Sequence, residues 1–583
     1  MTLNEYNQWL SDPDKVRCIL ILVNGYDTQE RTFYISNHEY VTTPTDALPN
    51  VAFDARLLSN SLEFTREVSF IDSPRGDTTY GNITIDNTDG GLDNWINFSF
   101  SGRKITVLLG DPQWAWADFN VRPFLIGVIE NIEFSDTRTF NLMIRDKIGL
   151  LDKSINETLL TQGPKKGDPK PLAFGVVRNI EPVLLDENVQ GGLYQWHNGA
   201  VERVLNVYDN GVLLTPITGY TTDNTNGTIT LVYRPVGTIT MDGYGAKPLA
   251  WLNTAATITT HILKNIAGLT DSDIDSTSMS VLSNNSMGFY LVQRENILDI
   301  LDRIFASLGC SYFFNYDGKF TVTKISIPSS PVLELQDTDW VMDSPQVKTL
   351  GTPVWRYKLG YEVNHTVQNP DQLAGSVTQP NFSSKQRVGW LGSEYRVLEV
   401  EDASIKVKYL NAVDKEMVST LLDPFLMGLT CTTITFQSGQ TVRFSFSQSP
   451  DLSSIAVGDS LSINTGVAAV NRGRWVITTI NNTTKTIDAT IPNSSAGNNQ
   501  TGLTAYVEIL TTVRITQLLN ERFAIAKVQR HQVSLQAISS PYKILPGSII
   551  NLFVNRYGYS NGVAMQVLKV VAKGNISELE GWY

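Results

Sequence analysis

The sequence predicts a mainly β fold, made of several β-barrel or β-sandwich domains with a small α/β helix–hairpin domain and an inserted β module. Short runs rich in Thr, Val, Ile and Tyr alternate with turn signals along most of the chain, which is typical of all-β domains. The clearest helical periodicity is confined to Glu295–Leu308. The 583 residues are enough for about four domains.

Residues 1–160 are predicted to form an N-terminal β-barrel domain. Cys18–Val23 is a short apolar run followed by the turn signal Asn24-Gly25, as expected of a buried strand. Later strands are separated by Gly, Asp and Pro, and such a succession favours a barrel or a sandwich. These strands are Gly81–Asn87, Lys104–Leu109, Phe124–Phe134 and Thr139–Arg145.

A segment rich in Pro, Lys and Gly, Gly163–Pro171, marks the first predicted domain boundary. Residues 161–287 are predicted to form a second β-rich domain, with a hairpin at Val207–Leu214. Within it, apolar residues of Thr257–Ala267 share one helical face, so this stretch is predicted to be a helix.

Residues 288–330 are predicted to form the small α/β domain. Apolar residues of Glu295–Leu308 recur at the spacing of a buried helical stripe, and Gly309 stands where a left-handed residue ends a helix. Cys310–Lys324 then forms two strands joined at Asp317-Gly318, a strong hairpin signal. We expect the helix to bury its apolar stripe against this hairpin.

The remaining chain is predicted to be a C-terminal β-barrel domain in two pieces, residues 331–429 and 509–583. Residues 430–508 lie between them and are very rich in Thr, Ser and Asn. They contain strand patterns of their own, including Thr432–Phe436, Thr441–Phe446 and Trp475–Ile480. We therefore interpret 430–508 as a β module inserted into the C-terminal domain.

The charge composition argues against a protein that grips nucleic acid. The formal net charge is −12, and the longest basic run is Lys165-Lys166. A phosphate-binding surface needs clustered Lys and Arg. With 42% apolar and 18% charged residues the chain is expected to be globular. It carries no pattern of a secretory signal and no run of 18 apolar residues.

Neither the cysteines nor the histidines follow a metal-binding or catalytic spacing. The three cysteines form no CxxC pair, which excludes zinc-ribbon and iron–sulfur spacings and favours reduced thiols. The five histidines form no HxH or HExxH pattern, so we interpret each as a surface or core residue. These residues are Cys18, Cys310, Cys431, His38, His197, His261, His365 and His531.

Three local patterns were tested for function. Gly163–Gly167 has the wrong spacing for a Walker loop. Asp271–Asp275 begins like an EF-hand, but Ser276 and Leu282 stand where Gly and Glu are required, so we interpret it as a polar turn. Trp114 and Trp116 either form an exposed carbohydrate-stacking pair or plug a barrel end or subunit interface, and we favour the second.

No GxSxG motif is present. No catalytic, cofactor-binding or metal-binding residue is therefore predicted, and no cofactor; a pair of acidic residues assembled only in space stays possible.

Several segments resemble the central hub proteins of long-tailed bacteriophages, the tail-tip or baseplate hubs of siphophages in particular. The resemblance covers most of the chain outside 430–508 and rests on the order of weak motifs. These segments are Gly102–Asp111, Phe124–Ile132, Phe140–Ile148, Pro171–Pro182 with Val207–Leu213, Ile297–Ile325 and Trp355–Val367.

The resemblance implies a structural role in the virion. Hubs of this family are homotrimers whose two barrels per subunit form a pseudo-sixfold ring, which here would be the hub domains at 1–160 and at 331–429 with 509–583. Implied partners are the distal tail and tail tube proteins, the tape measure protein, and tail-tip or fibre proteins. Double-stranded DNA would pass through the ring without specific binding during genome ejection, and contact with the host envelope would be indirect. The implied location is the virion tail tip, after assembly in the host cytoplasm.

The resemblance implies no catalytic residues, so the protein is expected not to be an enzyme. The missing cysteine cluster argues against the iron–sulfur site of some tail-tip proteins. A net negative wall of the ring would repel DNA phosphates, and we expect such a wall. Two alternatives stay open: a cell-wall-degrading tail protein, and a receptor-binding protein whose 430–508 module contacts the host.

Overall fold

The computed structural model describes residues 2–583 except 3–4, 7, 10–11, 13, 59–62, 71–72, 81–82, 120–122, 135–136, 283–284, 380–381, 419–420, 448–451, 453–454, 465, 491–497, 539–543 and 574–575. Strands dominate these residues, which confirms the mainly β fold with several sheets. Among them, no helix is both long and apolar enough to cross a lipid bilayer.

The N-terminal part folds into a twisted, closed arrangement of strands in which neighbours run β2–β1–β9–β10–β11–β8. All of these pairings are antiparallel. The strands are β1 (Cys18–Tyr26), β2 (Glu30–Ser36), β3 (Tyr40–Val41), β4 (Ala52–Ala55), β5 (Leu57–Leu58), β6 (Glu63–Glu67), β7 (Asp77–Tyr80), β8 (Ile83–Asp86), β9 (Lys104–Gly110), β10 (Leu125–Glu133) and β11 (Thr139–Arg145), with the short helix α1 (Trp116–Phe119) between β9 and β10.

Strand β1 is continuously apolar because both of its faces are covered. Ile19, Ile21 and Val23 point into the core between the strands. Cys18 and Leu20 point to the opposite face, where they pack in a second cluster with aromatic residues from β3, β4 and α1. A strand buried on both faces cannot show the alternation of apolar and polar residues seen in half-exposed strands.

The middle part contains four small sheets. Their strand orders are β12–β21, β13–β20–β16–β17, β14–β15–β19–β18 and β22–β23. The strands are β12 (Leu172–Phe174), β13 (Val176–Ile180), β14 (Val183–Asp186), β15 (Leu193–Gln195), β16 (Val201–Asp209), β17 (Val212–Leu213), β18 (Tyr220–Asp223), β19 (Thr228–Leu231), β20 (Ile239–Ala246), β21 (Phe289–Leu291), β22 (Cys310–Phe314) and β23 (Phe320–Lys324); the helices are α2 (Ala255–His261), α3 (Ser276–Met279) and α4 (Ile297–Leu308).

The predicted helix–hairpin is confirmed, but its packing differs from our expectation. Asn296 caps α4 by accepting a hydrogen bond from the Leu298 amide, and Gly309 ends it with a φ of 67°. The hairpin β22–β23 pairs Phe314 with Phe320 around the predicted turn. The stripe of α4 does not pack on the hairpin alone, because its residues share one large core with residues of α2 and of elements from the C-terminal part.

The helix predicted at Thr257–Ala267 is also confirmed. It begins two residues earlier, as α2, and continues as a π-helical turn over Ile262–Ile266. Ile258, Ile262 and Leu263 are fully buried, which accounts for the apolar face seen in the sequence.

The C-terminal part contributes both separate sheets and strands that join the N-terminal strands. The hub-like segment Trp355–Val367, whose resemblance implies the start of the last barrel, contributes β26 to the three-stranded sheet β27–β26–β28 and so does not lie in a barrel. The elements are β24 (Leu333–Leu335), β25 (Gln346–Leu350), β26 (Val354–Tyr361), α5 (Phe382–Leu391), β27 (Arg396–Glu401), α6 (Ser404–Lys408), β28 (Val413–Val418), β29 (Phe425–Ser438), β30 (Thr441–Phe446), β31 (Ser460–Ile463), β32 (Gly473–Asn481), β33 (Thr486–Thr490), β34 (Ala505–Thr511), α7 (Val513–Ala526), β35 (Arg530–Ala537), β36 (Ile549–Leu552), β37 (Val563–Lys573) and β38 (Ile576–Trp582).

Strands β29–β34 close into a six-stranded antiparallel barrel, here called the inserted barrel. Its interior is filled by alternate strand residues, among them Phe444 and Trp475, whose rings meet edge to face at 5.5 Å. This stretch is rich in Thr and Asn because such residues alternate with the apolar ones along the strands and face outward from the barrel. The predicted boundaries of the five domains stay predictions.

Strand β37 joins the two ends of the chain into one hydrogen-bonded sheet. One edge of β37 pairs with β38, while the other pairs first with β36 and then with β6 of the N-terminal part. In this seam Val570 lies opposite Arg66, whose side chain is almost fully buried and lies 3.8 Å from the ring centre of Tyr316.

Candidate functional site

The two tryptophans tested as a carbohydrate platform do not form an exposed pair. Trp116 is buried among Phe53 and Phe119. Trp114 is partly buried, and its ring centre lies 4.5 Å from that of Trp9. Both rings therefore pack inside the N-terminal part and do not form an exposed platform for carbohydrate.

The carboxylates of Asp271–Asp275 serve a turn and a helix cap. Asp273 accepts a hydrogen bond from Lys147 Nζ at 2.7 Å, and Asp271 pairs with Lys264 at the same distance. Asp275 accepts hydrogen bonds from the Thr277 and Ser278 amides at the start of α3. The three carboxylates thus have separate partners, as expected of a polar turn.

Of the five histidines, His197 is the most enclosed. Its Nδ1 accepts a hydrogen bond from the Ala173 amide at 3.0 Å, which fixes the ring in its neutral form. Burial lowers its pKa to about 4. His38 is exposed, and His531 stacks on Tyr583. Across the described ranges, no three His, Cys, Asp or Glu residues group closely enough to hold a metal ion.

The last of the three patterns forms a surface turn, and the three cysteines lie in the interior. Within Gly163–Gly167, both lysines are exposed, and the Gly167 amide donates to the Leu160 carbonyl at 2.9 Å, which closes a surface turn. The thiols of Cys18, Cys310 and Cys431 are free and buried. Burial raises the pKa of Cys310 to about 12, so this thiol stays protonated and unreactive near neutral pH.

A strongly charged buried region lies where three parts of the chain meet, and we call it the junction. Arg178 comes from β13, Glu362 directly follows β26, Arg396 begins β27, and Arg474 and Glu508 belong to the inserted barrel. Arg178, Glu362 and Glu508 are each less than one tenth exposed. The junction therefore connects the second β-rich region, the three-stranded sheet and the inserted barrel through ionised side chains.

Arg178 and Glu508 form a two-pronged ion pair between the middle part and the inserted barrel. Arg178 Nη1 donates to Glu508 Oε2 at 3.3 Å, and Nη2 donates to Oε1 at 3.0 Å. The hydroxyl of Tyr244 also donates to Glu508. Such a fork is the geometry in which arginine binds a carboxylate most specifically.

Glu362 receives two further arginines. Arg396 Nε donates to its Oε2 at 2.7 Å, and Arg474 Nη1 lies 2.9 Å from the same oxygen. Burial alone would raise the pKa of Glu362, but Arg474, Arg396 and Arg178 outweigh that effect and hold it at about 2. Glu362 is therefore a carboxylate at all ordinary pH values.

The backbone at the junction is strained at the residue that carries the central charge. Glu362 has a φ of 52°. The left-handed conformation costs a residue with a side chain roughly 1–2 kcal/mol. Strain of this kind persists where surrounding contacts hold the residue in place. Here the hydrogen bonds from Arg396 and Arg474 hold Glu362.

Asp242 of β20 is satisfied by neutral donors. It accepts hydrogen bonds from the Asn179 amide at 2.9 Å, from Asn206 Nδ2 at 3.1 Å and from the Tyr208 hydroxyl at 2.9 Å. Burial raises the pKa of Tyr208, and the nearby Asp242 raises it further. The Tyr208 hydroxyl therefore stays a donor to this carboxylate.

A cavity of about 620 Å³ opens beside these ion pairs. Besides the residues already described, Arg387 and Trp390 of α5 and Arg472 of the inserted barrel line it. Five arginines and three carboxylates therefore face one space. A space lined by so many charged groups suits a charged ligand.

Sequence reasoning missed the junction because its residues are up to 330 positions apart and follow no local motif. A weak signal exists. Arg178 interrupts the apolar run of β13, and Glu508 interrupts that of β34. A charge at a position where the strand pattern requires a buried side chain indicates a buried ion pair, but it does not reveal the partner.

No family model and no curated protein matches the chain. Several solved structures resemble it weakly. A tail protein from Neisseria meningitidis MC58 is aligned over 97% of this chain and 96% of its own, with 8% identity and a TM-score of 0.36. A chain of a native gene transfer agent virion is aligned over 73% and 86%, with 9% identity and a TM-score of 0.40. The 43 kDa tail protein of prophage MuSo2 from Shewanella oneidensis is aligned over 97% and 98%, with 9% identity and a TM-score of 0.35. The structural neighbours named here are thus tail and virion proteins, at similarities too low to carry an argument about this chain.

Proposed function

We propose that the protein is a structural component of a bacteriophage tail, and within the tail the central hub of the tip or baseplate. In this role three copies form a ring that joins the tail tube to tip or fibre proteins and lets the genome leave. The protein would be located at the virion tail tip and would be assembled in the host cytoplasm.

The observation that carries this proposal is how the hub-like segments fold. Gly102–Asp111, Phe124–Ile132 and Phe140–Ile148 contain β9, β10 and β11, which are direct neighbours in one antiparallel wall. Ile297–Ile325 folds as the helix and hairpin that the resemblance implies. Segments that are weak motifs in sequence thus form contiguous structure in the same order.

The use of buried charge supports a structural role. The buried carboxylates of the junction are already occupied by arginines or neutral donors from other parts of the chain. A catalytic acid or base needs a pKa near the working pH and access to substrate. The low pKa of Glu362 suits permanent ion pairing better than proton transfer.

The net charge of −12 also fits a ring around a moving genome. DNA phosphates are bound by clustered basic side chains, whereas a net negative surface repels them and leaves the polymer free to slide. A threefold ring needs two different complementary faces on each subunit, because a self-complementary contact closes a dimer.

The first test is the assembly state and location of the full chain. Mass photometry is expected to find particles of three times the 64.7 kDa chain mass, or tail tips that contain three copies if the ring forms only during assembly. Antibody labelling of virions in the electron microscope is expected to mark the tail tip. A monomer that is absent from virions would contradict the proposal, as would peptidoglycan cleavage that a point mutation abolishes.

The receptor-binding alternative needs a gentler change than removal of the inserted barrel. Deletion would take Glu508 and Arg474 away from Arg178 and Glu362, and would damage the body of the protein. Substitutions in the exposed turn Asn481–Thr484 avoid this problem. Normal tails that adsorb poorly to host cells would favour receptor binding; normal adsorption agrees with a hub.

A further inference from the structure

We propose that the junction cavity binds a small oxyanion of the phosphate class, either free phosphate or the phosphate group of a small ester. Such a site is independent of the proposed tail function.

The first observation is an imbalance of charge. Arg178 is paired with Glu508, and both Arg396 and Arg474 are paired with Glu362. Arg387 and Arg472 also line the cavity, yet neither has a carboxylate within 4 Å in the described ranges. Asp242 keeps its negative charge because its hydrogen-bond donors are neutral, so the five arginines and three carboxylates that line the cavity leave a formal net charge of +2.

The second observation is unused hydrogen-bonding capacity. Arg387 lies over the ring of Tyr208 at 3.9 Å, and its Nη2 is buried without an acceptor among the described atoms. Arg178 Nε is in the same condition, 3.9 Å from Glu362 Oε1. A buried donor without an acceptor is costly, and both arginines line the cavity, so a side-chain shift that brings either donor to an acceptor there would be favoured.

The third observation is the fit of charge and size. A formal excess of two positive charges matches an oxyanion of charge between −1 and −2, and arginine binds phosphate through paired N–H donors. The cavity volume of about 620 Å³ lies within the usual range of small-molecule sites, roughly 300–1,000 Å³. Tyr208 and Trp390 provide aromatic surface beside the anion position.

The ligand would connect two elements that the ion pairs do not join directly. Arg387 belongs to α5, whereas Arg472 directly precedes β32 of the inserted barrel and is held in place by a hydrogen bond from its Nε to the Val467 carbonyl at 3.1 Å. A ligand that binds only the folded state raises thermal stability. Binding at the junction should therefore stabilise the inserted barrel against the body.

The test measures binding of inorganic phosphate to the full chain by calorimetry, with chloride at equal ionic strength as reference. Saturable binding of one anion per chain and a rise in melting temperature with phosphate are expected. R387Q and R472Q should each weaken phosphate binding at least tenfold. R443Q is the matched control, because Arg443 is on the same barrel but pairs with Asp488 outside the cavity, and it should leave affinity unchanged.

Further measurements identify the ligand and verify that the variants are folded. R387K keeps the charge but loses the planar donor pair, so its affinity should lie between those of the wild type and R387Q. Tighter binding of AMP than of phosphate would assign a phosphate ester, and weaker binding would assign the free anion. The absence of saturable binding by the wild type, or equal weakening by R443Q, would overturn the proposal. Circular dichroism of each variant without ligand verifies that it is folded.

Discussion

At the scale of single residues, Glu362 determines how the junction is held together. It is nearly inaccessible to solvent, adopts a left-handed backbone conformation and receives arginines from two different elements. Removal of one partner from a buried ion pair is far more damaging than replacement of the whole pair by apolar groups. The structure therefore distinguishes this carboxylate from the many exposed ones.

Glu362→Gln is expected to destabilise the protein by about 3–5 kcal/mol, because Arg396 and Arg474 lose their counter-charge. Urea unfolding measures the loss. Limited proteolysis should show early cleavage in the inserted barrel, since Arg474 belongs to it. Asp414→Asn is the control, as Asp414 forms a more exposed pair with Arg356, and exposed ion pairs contribute little to stability. Equal effects of the two substitutions would contradict this role of Glu362.

His197 is expected to make stability depend on pH in the acid range. Its pKa is about 4 when folded and about 6.5 when unfolded, so the unfolded chain binds the proton more readily. The contribution is complete above pH 6.5 and is lost as the pH falls toward 4, to a total of about 3 kcal/mol.

Urea titrations at pH 7 and pH 4.5 measure this dependence. His197→Asn places an amide oxygen where it can accept the bond from the Ala173 amide but removes the titrating group. The variant should therefore lose less stability between the two pH values than the wild type does. An identical loss in both proteins would show that other groups cause the dependence.

At the scale of elements, the sequence predicted the helix ends and hairpin turns that neighbouring residues determine. The α4 helix ends at Gly309 and the hairpin turns at Asp317-Gly318, as the sequence indicates. The partners of α4 could not be predicted, because α2, α7 and β26 are brought to it by chain segments far away in sequence. The junction escaped prediction for the same reason: five charged residues on separate elements leave no periodic pattern.

Gly309→Ala is expected to destabilise the helix–hairpin region by roughly 1–2 kcal/mol, since a residue with a side chain is strained at a φ of 67°. The added methyl group would also lie 3.0 Å from Arg522 Nη2. Thermal unfolding measures the effect. Gly375→Ala is the matched control, because nothing lies within 4 Å of its added methyl group and its φ is not left-handed. Stabilisation by Gly309→Ala would contradict the assignment of Gly309 as a left-handed cap.

At the scale of the whole molecule, the β6–β37 seam connects the first and last parts of the chain. Residues 63–67 pair in register with residues 569–573. The pairing also brings Arg66 beside Tyr316 of the helix–hairpin region. Three regions that the sequence predicts as separate domains are thus in direct contact.

Val570→Pro is expected to weaken this seam by about 1–3 kcal/mol, because proline removes an amide donor from a buried ladder. Hydrogen exchange should accelerate in 63–67 as well as in the neighbouring strand 576–582. Val570→Ile keeps the amide and an apolar β-branched side chain, and serves as the control. Faster exchange confined to 563–573 would show that the two ends of the chain are stabilised independently.

The seam also has a consequence for synthesis on the ribosome. Strand β6 emerges early, but its partner β37 is translated about 500 residues later, which at roughly 5–20 residues per second is a delay of about 25–100 s. During that interval the nascent chain exposes an unpaired strand edge to every neighbouring polypeptide. The chain is therefore expected to require protection by a chaperone, or slow and dilute expression, to reach its native state without aggregation.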